Sequence, residues 1–253
     1  MFFKFGNFRY TLFFIKMVYF THKISKGGLK MASHYGNLQK VINKNRRFAI
    51  TPFIPGGFVT PKTLRKLADV ADEYKGVLKI TSGQRVMITN LKEEDLPTIW
   101  EKLDMVPAVK NPYSVKNVEL CPANYCKRSK QNSIGLGMKI TKAFHGMELP
   151  NRTKIVVVGC RNCCCSANGK DITVMGDING YTIKAGGSAG FNPRLPDILV
   201  EDLDEKKAYS YVQALLITYK EVGQVGEKLG DLIDRIGLDI FKKQILEKFE
   251  TMI

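Results

Sequence analysis

Thr153-Lys154-Ile155-Val156-Val157-Val158-Gly159-Cys160-Arg161-Asn162-Cys163-Cys164-Cys165 is the stretch on which the architecture turns. Its first half is rich in β-branched residues and apolar without alternation, which reads as a buried strand. That strand delivers Cys160 at its end, and three further cysteines follow within five residues. The remaining two, Cys121 and Cys126, lie in Cys121-Pro122-Ala123-Asn124-Tyr125-Cys126, directly after the strand-like Val118–Leu120. All six cysteines fall in these two runs. Clustering of this kind, in a chain too long for a disulfide scaffold, points to metal binding or redox chemistry in a reducing compartment. Thiolates ligate both iron–sulfur clusters and zinc. With four residues between Cys121 and Cys126 and three between Cys160 and Cys164, spacing leaves both metals open.

The chain around these runs has 253 residues, 44% hydrophobic and 25% charged, the composition of a globular protein with a sizeable core. Its net charge of +15 is uneven: residues 1–30 carry six Lys/Arg and no acid, leaving 33 Lys/Arg against 24 Asp/Glu, or +9, for the rest. A basic surface suits nucleic acid, a membrane or a small polyanion. No helix-turn-helix, zinc-finger or RNA-binding signature supports nucleic acid. Tyr10–Phe20 is an apolar aromatic run broken by Lys16, too short for a transmembrane segment. Thr21-His22-Lys23 offers no cleavage site for a signal peptide. Residues 1–30 therefore read as a basic aromatic extension, disordered or interfacial, and the chain as cytoplasmic.

From Phe48 the pattern becomes regular. Phe48–Ile54 reads as a strand ending at Pro55-Gly56-Gly57. Thr60 caps a helix with Pro61 at its first position and Leu64, Leu67, Ala68, Val70 and Ala71 on its apolar face. Val77–Ser82 and Arg85–Thr89 are strand-like around Gly83-Gln84, and Lys92–Leu103 is a second amphipathic helix carrying Trp100. This β-α-β-β-α order suggests a ferredoxin-like half-module over residues 31–110. Residues 111–253 read as an α/β domain. Its elements are a helix over Ser133–Ala143, the Thr153–Val158 strand, strands at Asp171–Met175 and Tyr181–Ala185, and the loop Gly186–Gly190. Glu205–Lys248 completes it as a helical segment with Leu215, Leu216, Tyr219, Val222 and Val225 on one face. The fold class expected is α+β.

From Pro55 to about Ile245 the sequence resembles the siroheme domain of assimilatory nitrite reductases and their sulfite reductase relatives. The likeness is carried in order by Pro55-Gly56-Gly57-Phe58-Val59-Thr60-Pro61, Thr81-Ser82-Gly83-Gln84-Arg85, Asp95-Leu96-Pro97 and Lys170-Asp171-Ile172-Thr173-Val174-Met175-Gly176. It implies that Cys121, Cys126, Cys160 and Cys164 hold a 4Fe–4S cluster, with Cys164 bridging to a siroheme iron. Two departures stand out: the first pair is one residue closer than the family's C-x₅-C, and Arg161 replaces the usual proline beside the extra thiols Cys163 and Cys165.

Siroheme carries eight carboxylates and sulfite or nitrite is an anion, so the family lines its pocket with cations. The resemblance places Arg152 and Lys154 in its basic-x-Lys pattern, on one face of a strand, and Arg85 at its basic turn position. These three are the expected catalytic residues. Lys127, Arg128, Asn162, Gly186 and Gly187 join Cys164 and Arg85 as expected cofactor contacts. The activity implied is six-electron reduction of sulfite or nitrite. No G-x-G-x-x-G nucleotide fingerprint occurs, so a separate electron donor such as a ferredoxin is expected. Full-length relatives hold the cofactor between two such modules. This single module therefore implies a homodimer, a higher oligomer or a partner subunit. The rivals are an electron-transfer or sensor protein without turnover, and a colourless zinc-stabilised binding module.

Overall fold

The computed structural model describes residues 35–39, 46–109 and 111–252. The extension at 1–30 and the residues His22 and His34 lie outside them. The first half builds a four-stranded antiparallel sheet in the order β1-β2-β4-β3 from β1 (Asn37–Leu38), β2 (Phe48–Ile50), β3 (Val77–Ile80) and β4 (Val86–Leu91). Helices α1 (Pro61–Glu73) and α2 (Leu96–Leu103) share a core with it, formed by Ile50, Leu67, Val70, Ile88, Leu96, Ile99 and Leu103. The Thr60 hydroxyl accepts the Thr63 N–H at 3.1 Å with Pro61 at the first helical position, as expected of this cap. The second helix is shorter than its periodicity suggests. Pro97 falls in its first turn, where a missing N–H costs nothing, and Lys92–Asp95 form the turn before it.

The second half is a five-stranded sheet in the order β5-β6-β7-β8-β9. Its strands are β5 (Val115–Leu120), β6 (Thr153–Val158), β7 (Ile172–Asp177), β8 (Gly180–Ala185) and β9 (Asp197–Leu203). The first three run parallel, and β8 and β9 pair antiparallel. β9 was not expected: Asp197-Ile198-Leu199-Val200-Glu201-Asp202-Leu203 carries too many acids to read as a strand, yet it forms one edge of this sheet. Helices α3 (Ser133–Phe144), α4 (Glu205–Val222), α5 (Leu229–Ile236) and α6 (Leu238–Glu250) follow. The C-terminal segment is thus three helices rather than one. It breaks after Val222 and again at Gly237, whose φ is +90°, a conformation in which glycine pays no Cβ penalty. Val225 lies in the first break and is 88% exposed.

The two faces of the second sheet differ. Val118, Leu120, Ile155, Val157, Ile172, Val174 and Ile183 bury one face against α3, α4, α5 and α6. Side-chain alternation sends Asn117, Glu119, Lys154, Val156, Val158, Thr173 and Met175 to the other. Val156, Val158 and Met175 there form a separate small cluster with Ala167, covered by Cys121, Cys163 and Cys165. Glycine at 137 lets α3 sit on Leu120, since a Cβ would stand 2.0 Å from that side chain. His145 is half-buried rather than on the surface: its ring stacks on Phe53 at 3.9 Å and its Nε2 lies 3.0 Å from the Ala108 carbonyl.

Candidate active site

Strand pairing accounts for the approach of the two cysteine runs. Parallel β5 and β6 place Leu120 opposite Val157, and the Cys121 N–H continues the ladder to the Val157 carbonyl at 3.2 Å. Both runs therefore leave the carboxyl ends of adjacent parallel strands, the usual ligand-binding edge of such sheets. They meet at Gly159. Its N–H donates to Cys121 Sγ at 3.1 Å, and its carbonyl accepts from Lys130 at 2.7 Å and Gln131 at 3.3 Å. A Cβ at Gly159 would stand 2.0 Å from Ser129 Oγ, so the first loop packs directly on the backbone that precedes Cys160.

The thiols face different surroundings. Cys121 and Cys160 are half-buried, whereas Cys126 and Cys164 are exposed. Cys126 follows a 3₁₀ turn at Ala123–Tyr125. Cys164 Sγ accepts from Asn162 Nδ2 at 2.9 Å. Cys163 turns inward to Met175 Sδ at 3.6 Å, and Cys165 to the Leu120 carbonyl at 3.6 Å. Burial pushes the Cys163 thiol up and the Cys165 thiol up to about 11, so both behave as small protonated apolar groups. Among the described residues no three His, Cys, Asp or Glu side chains are placed to hold a single metal ion.

Cys164 opens into a cavity of about 510 Å³ lined also by Arg152, Lys154, Lys170 and Lys228, with the Gly187–Gly190 loop as one wall. Here the expected pair Arg152 and Lys154 stands with the expected thiol Cys164 and with Gly187. Gly187 touches the Asn168 and Lys170 carbonyls so closely that a Cβ would come within 2.6 Å of both. Gly186, at φ +85°, is instead pinned from outside: its carbonyl accepts from Arg194 Nη1 at 3.2 Å, and Arg194 is held in turn by Asp197 and Asp234. Lys127 and Arg128 are exposed beside Cys126 and do not line the cavity.

Arg85 folds back over Gly83, whose Cβ position is 3.3 Å from Arg85 Nη2. Its Nε is buried with no hydrogen-bond partner, and burial pulls its guanidinium below its ordinary value against the attraction of Glu119. Lys116 was not anticipated. It sits near the start of β5 as Arg152 and Lys154 flank the start of β6, a symmetry that a longer reading of β5 would have shown. Burial depresses its ammonium, and Arg152, Arg85 and Lys154 add repulsion in that order. Lys170 and Glu119 were also missed as site residues. They form a buried ion pair at 2.7 Å, with the Glu119 side chain 3% exposed. Asp171 accepts the Lys154 N–H at 2.8 Å, and desolvation raises its carboxyl.

Arg152, Lys154, Lys170, Lys228 and the open Cys164 thiol line one cavity, whereas Arg85 and Lys116 stand behind its lining; crowded cations beside a thiol are the chemistry of a site for a polyanion.

Residues 113–252 match the family model for the nitrite and sulphite reductase 4Fe-4S domain, and residues 42–106 match that for the nitrite/sulfite reductase ferredoxin-like half domain. The chain is 32% identical over 199 residues to a nitrite reductase (NAD(P)H) of Bacillus subtilis, covering 78% of this chain and 25% of that protein. It is 28% identical over 201 residues to an assimilatory-type sulfite reductase of Nitratidesulfovibrio vulgaris, covering 79% of this chain and 92% of that one. The chain thus spans a quarter of the first relative and nearly all of the second. Among solved structures, the Mycobacterium tuberculosis NirA protein superposes with a TM-score of 0.72 at 18% identity, over 83% of this chain and 42% of that one. With one ferredoxin-like half domain followed by one 4Fe-4S domain, the chain belongs to the nitrite and sulphite reductase family.

Proposed function

We propose that this chain is a cytoplasmic reductase of a small oxyanion, sulfite or nitrite, working with a 4Fe–4S cluster and siroheme. The observation that carries the reading is the cavity in which the Cys164 thiol and the cations Arg152 and Lys154 share one wall system. Cys121, Cys126, Cys160 and Cys164 would hold the cluster, and Gly187 with the surrounding cations would hold the siroheme carboxylates. When bound, these groups would relay electrons from the donor and supply the metal to which the oxyanion attaches.

The chain's own residues supply binding and protons. Arg152 and Lys154 would bind the negative oxygens from the cavity wall, and Arg85 and Lys116 behind it would add positive charge that favours the anion over water. Arg152 and Lys154, which line the cavity, would relay protons to the substrate oxygens; burial and like charge weaken the hold of nearby Lys116 on its proton. Lys170 is paired with Glu119 at 2.7 Å, and Asp171 fixes the backbone of Lys154 through its N–H.

The domain limits proposed are 31–110 and 111–253. Electrons would come from a separate donor such as a ferredoxin, and a second copy or partner subunit would cover the open side of the cavity. The relative that the chain spans almost completely is a sulfite reductase, so sulfite is the first substrate to assay. Anaerobically purified protein should show siroheme absorption bands, iron and acid-labile sulfide, and should reduce sulfite with a chemical electron donor. Cys164→Ser should abolish turnover and alter the siroheme spectrum. Zinc in stoichiometric amount in a colourless protein would overturn the reading. Intact colour without turnover of either anion would move the chain to electron transfer or sensing.

A further inference from the structure

The turn that carries Gly83-Gln84 reaches out of the ferredoxin-like half and grips the strand that delivers the first cysteine. Gln84 Nε2 donates to the Leu120 carbonyl at 2.7 Å, and the Leu120 N–H donates to Gln84 Oε1 at 2.9 Å. One side-chain amide thus satisfies both backbone groups of the residue before Cys121, as a neighbouring strand would. The same Nε2 lies 3.6 Å from Cys165 Sγ, and that thiol is 3.6 Å from the Leu120 carbonyl. A single side chain therefore touches the second cysteine run and the residue that leads into the first.

Three other features hold this arrangement. Gln84 has φ +57°, a conformation that costs a non-glycine residue and persists where its surroundings impose it. The Pro55-Gly56-Gly57 turn closes over the contact: a Cβ on Gly57 would stand 2.9 Å from Gln84 Cβ, and one on Gly56 2.4 Å from Leu120 Cδ1. Asn117 Nδ2 donates to the Gly83 carbonyl at 2.6 Å, adding a second tie between the turn and β5.

We infer that Gln84 is a positioning residue for the cluster, resting on the cluster-binding reading above. It sets Leu120, and through Leu120 the backbone of Cys121, against the loop of Cys160–Cys165. The ferredoxin-like half would then contribute to iron–sulfur binding through one amide group, without supplying a ligand.

The test uses the full chain. Residue-resolved amide hydrogen exchange reads the clamp, and retention of iron and sulfide against a chelator, with the electron paramagnetic resonance spectrum of the reduced protein, reads the positioning. In Gln84→Ala the Leu120 amide is expected to exchange about tenfold faster, since it loses its acceptor. Iron retention should fall by about tenfold, the lower end for an outer contact of a metal site. Amides of the distant α4 helix, read in the same exchange data, serve as the folding control and should keep their wild-type rates. Unchanged Leu120 exchange in Gln84→Ala overturns the clamp. Faster exchange with iron retention and spectrum unchanged overturns the positioning role. Wild-type protein that binds no iron overturns the cluster reading and the positioning role together, and Leu120 exchange still decides the clamp.

Discussion

The two faces of the β5–β9 sheet are made by the same strands and have opposite characters. On the helical side Ile155, Val157, Ile172 and Val174 are fully buried in a continuous apolar core. On the other side Lys154, Glu119, Asn117 and Thr173 surround the small patch of Val156, Val158 and Met175 on which the cysteine loop rests. One face is stabilised by area removed from water; the other stores unfavourable electrostatics beside a cavity. The stability of this half is therefore to be sought on the helical side, and its chemistry on the other.

Substitutions can separate the two. The largest expected stability change lies, unusually, on the polar face: Glu119→Ala leaves the Lys170 ammonium buried without its partner and should cost about 3–5 kcal/mol by urea unfolding. A loss below about 1 kcal/mol would mean that the pair is well hydrated. On the helical face Ile155→Val removes one methylene from a fully buried site and should cost about 0.5–1.5 kcal/mol, while iron content stays at the wild-type level. A loss of iron in that variant would break the separation of roles.

The smallest effect expected has the opposite sign. Lys116 has a depressed pKa, so the folded chain holds this proton less tightly than the unfolded chain does. It therefore lowers stability at any pH below the folded value, and the penalty is released as pH rises from there to the ordinary lysine range. Lys116→Met should raise the Tm of ligand-free protein at pH 7 by about 1 °C. The gain should shrink as pH rises through the alkaline range and vanish when a polyanion such as citrate is added. A lower Tm would contradict repulsion among Lys116, Arg152, Arg85 and Lys154.

What the sequence revealed follows from how local each signal is. The Thr153–Val158 strand and the Thr60-Pro61 helix start were readable because β-branched density and a cap are properties of a few adjacent residues. The paired α/β architecture was readable from element order and family likeness. β9 escaped because its side chains answer to an edge position rather than to a buried one. Lys116, Glu119 and Lys170 escaped for a related reason: a charged residue on a strand reads as solvated until the neighbouring strand and loop are in place. The grip of Gln84 on Leu120 joins residues thirty-six positions apart, beyond any periodicity.

The absence of a side chain at Gly159 has one more implication. Because that backbone already bonds Cys121 Sγ, Lys130 and Gln131, the chain holds the two cysteine loops together with its own groups. The two loops are therefore ordered before anything binds between them, and any ligand they take would cost them little further conformational freedom.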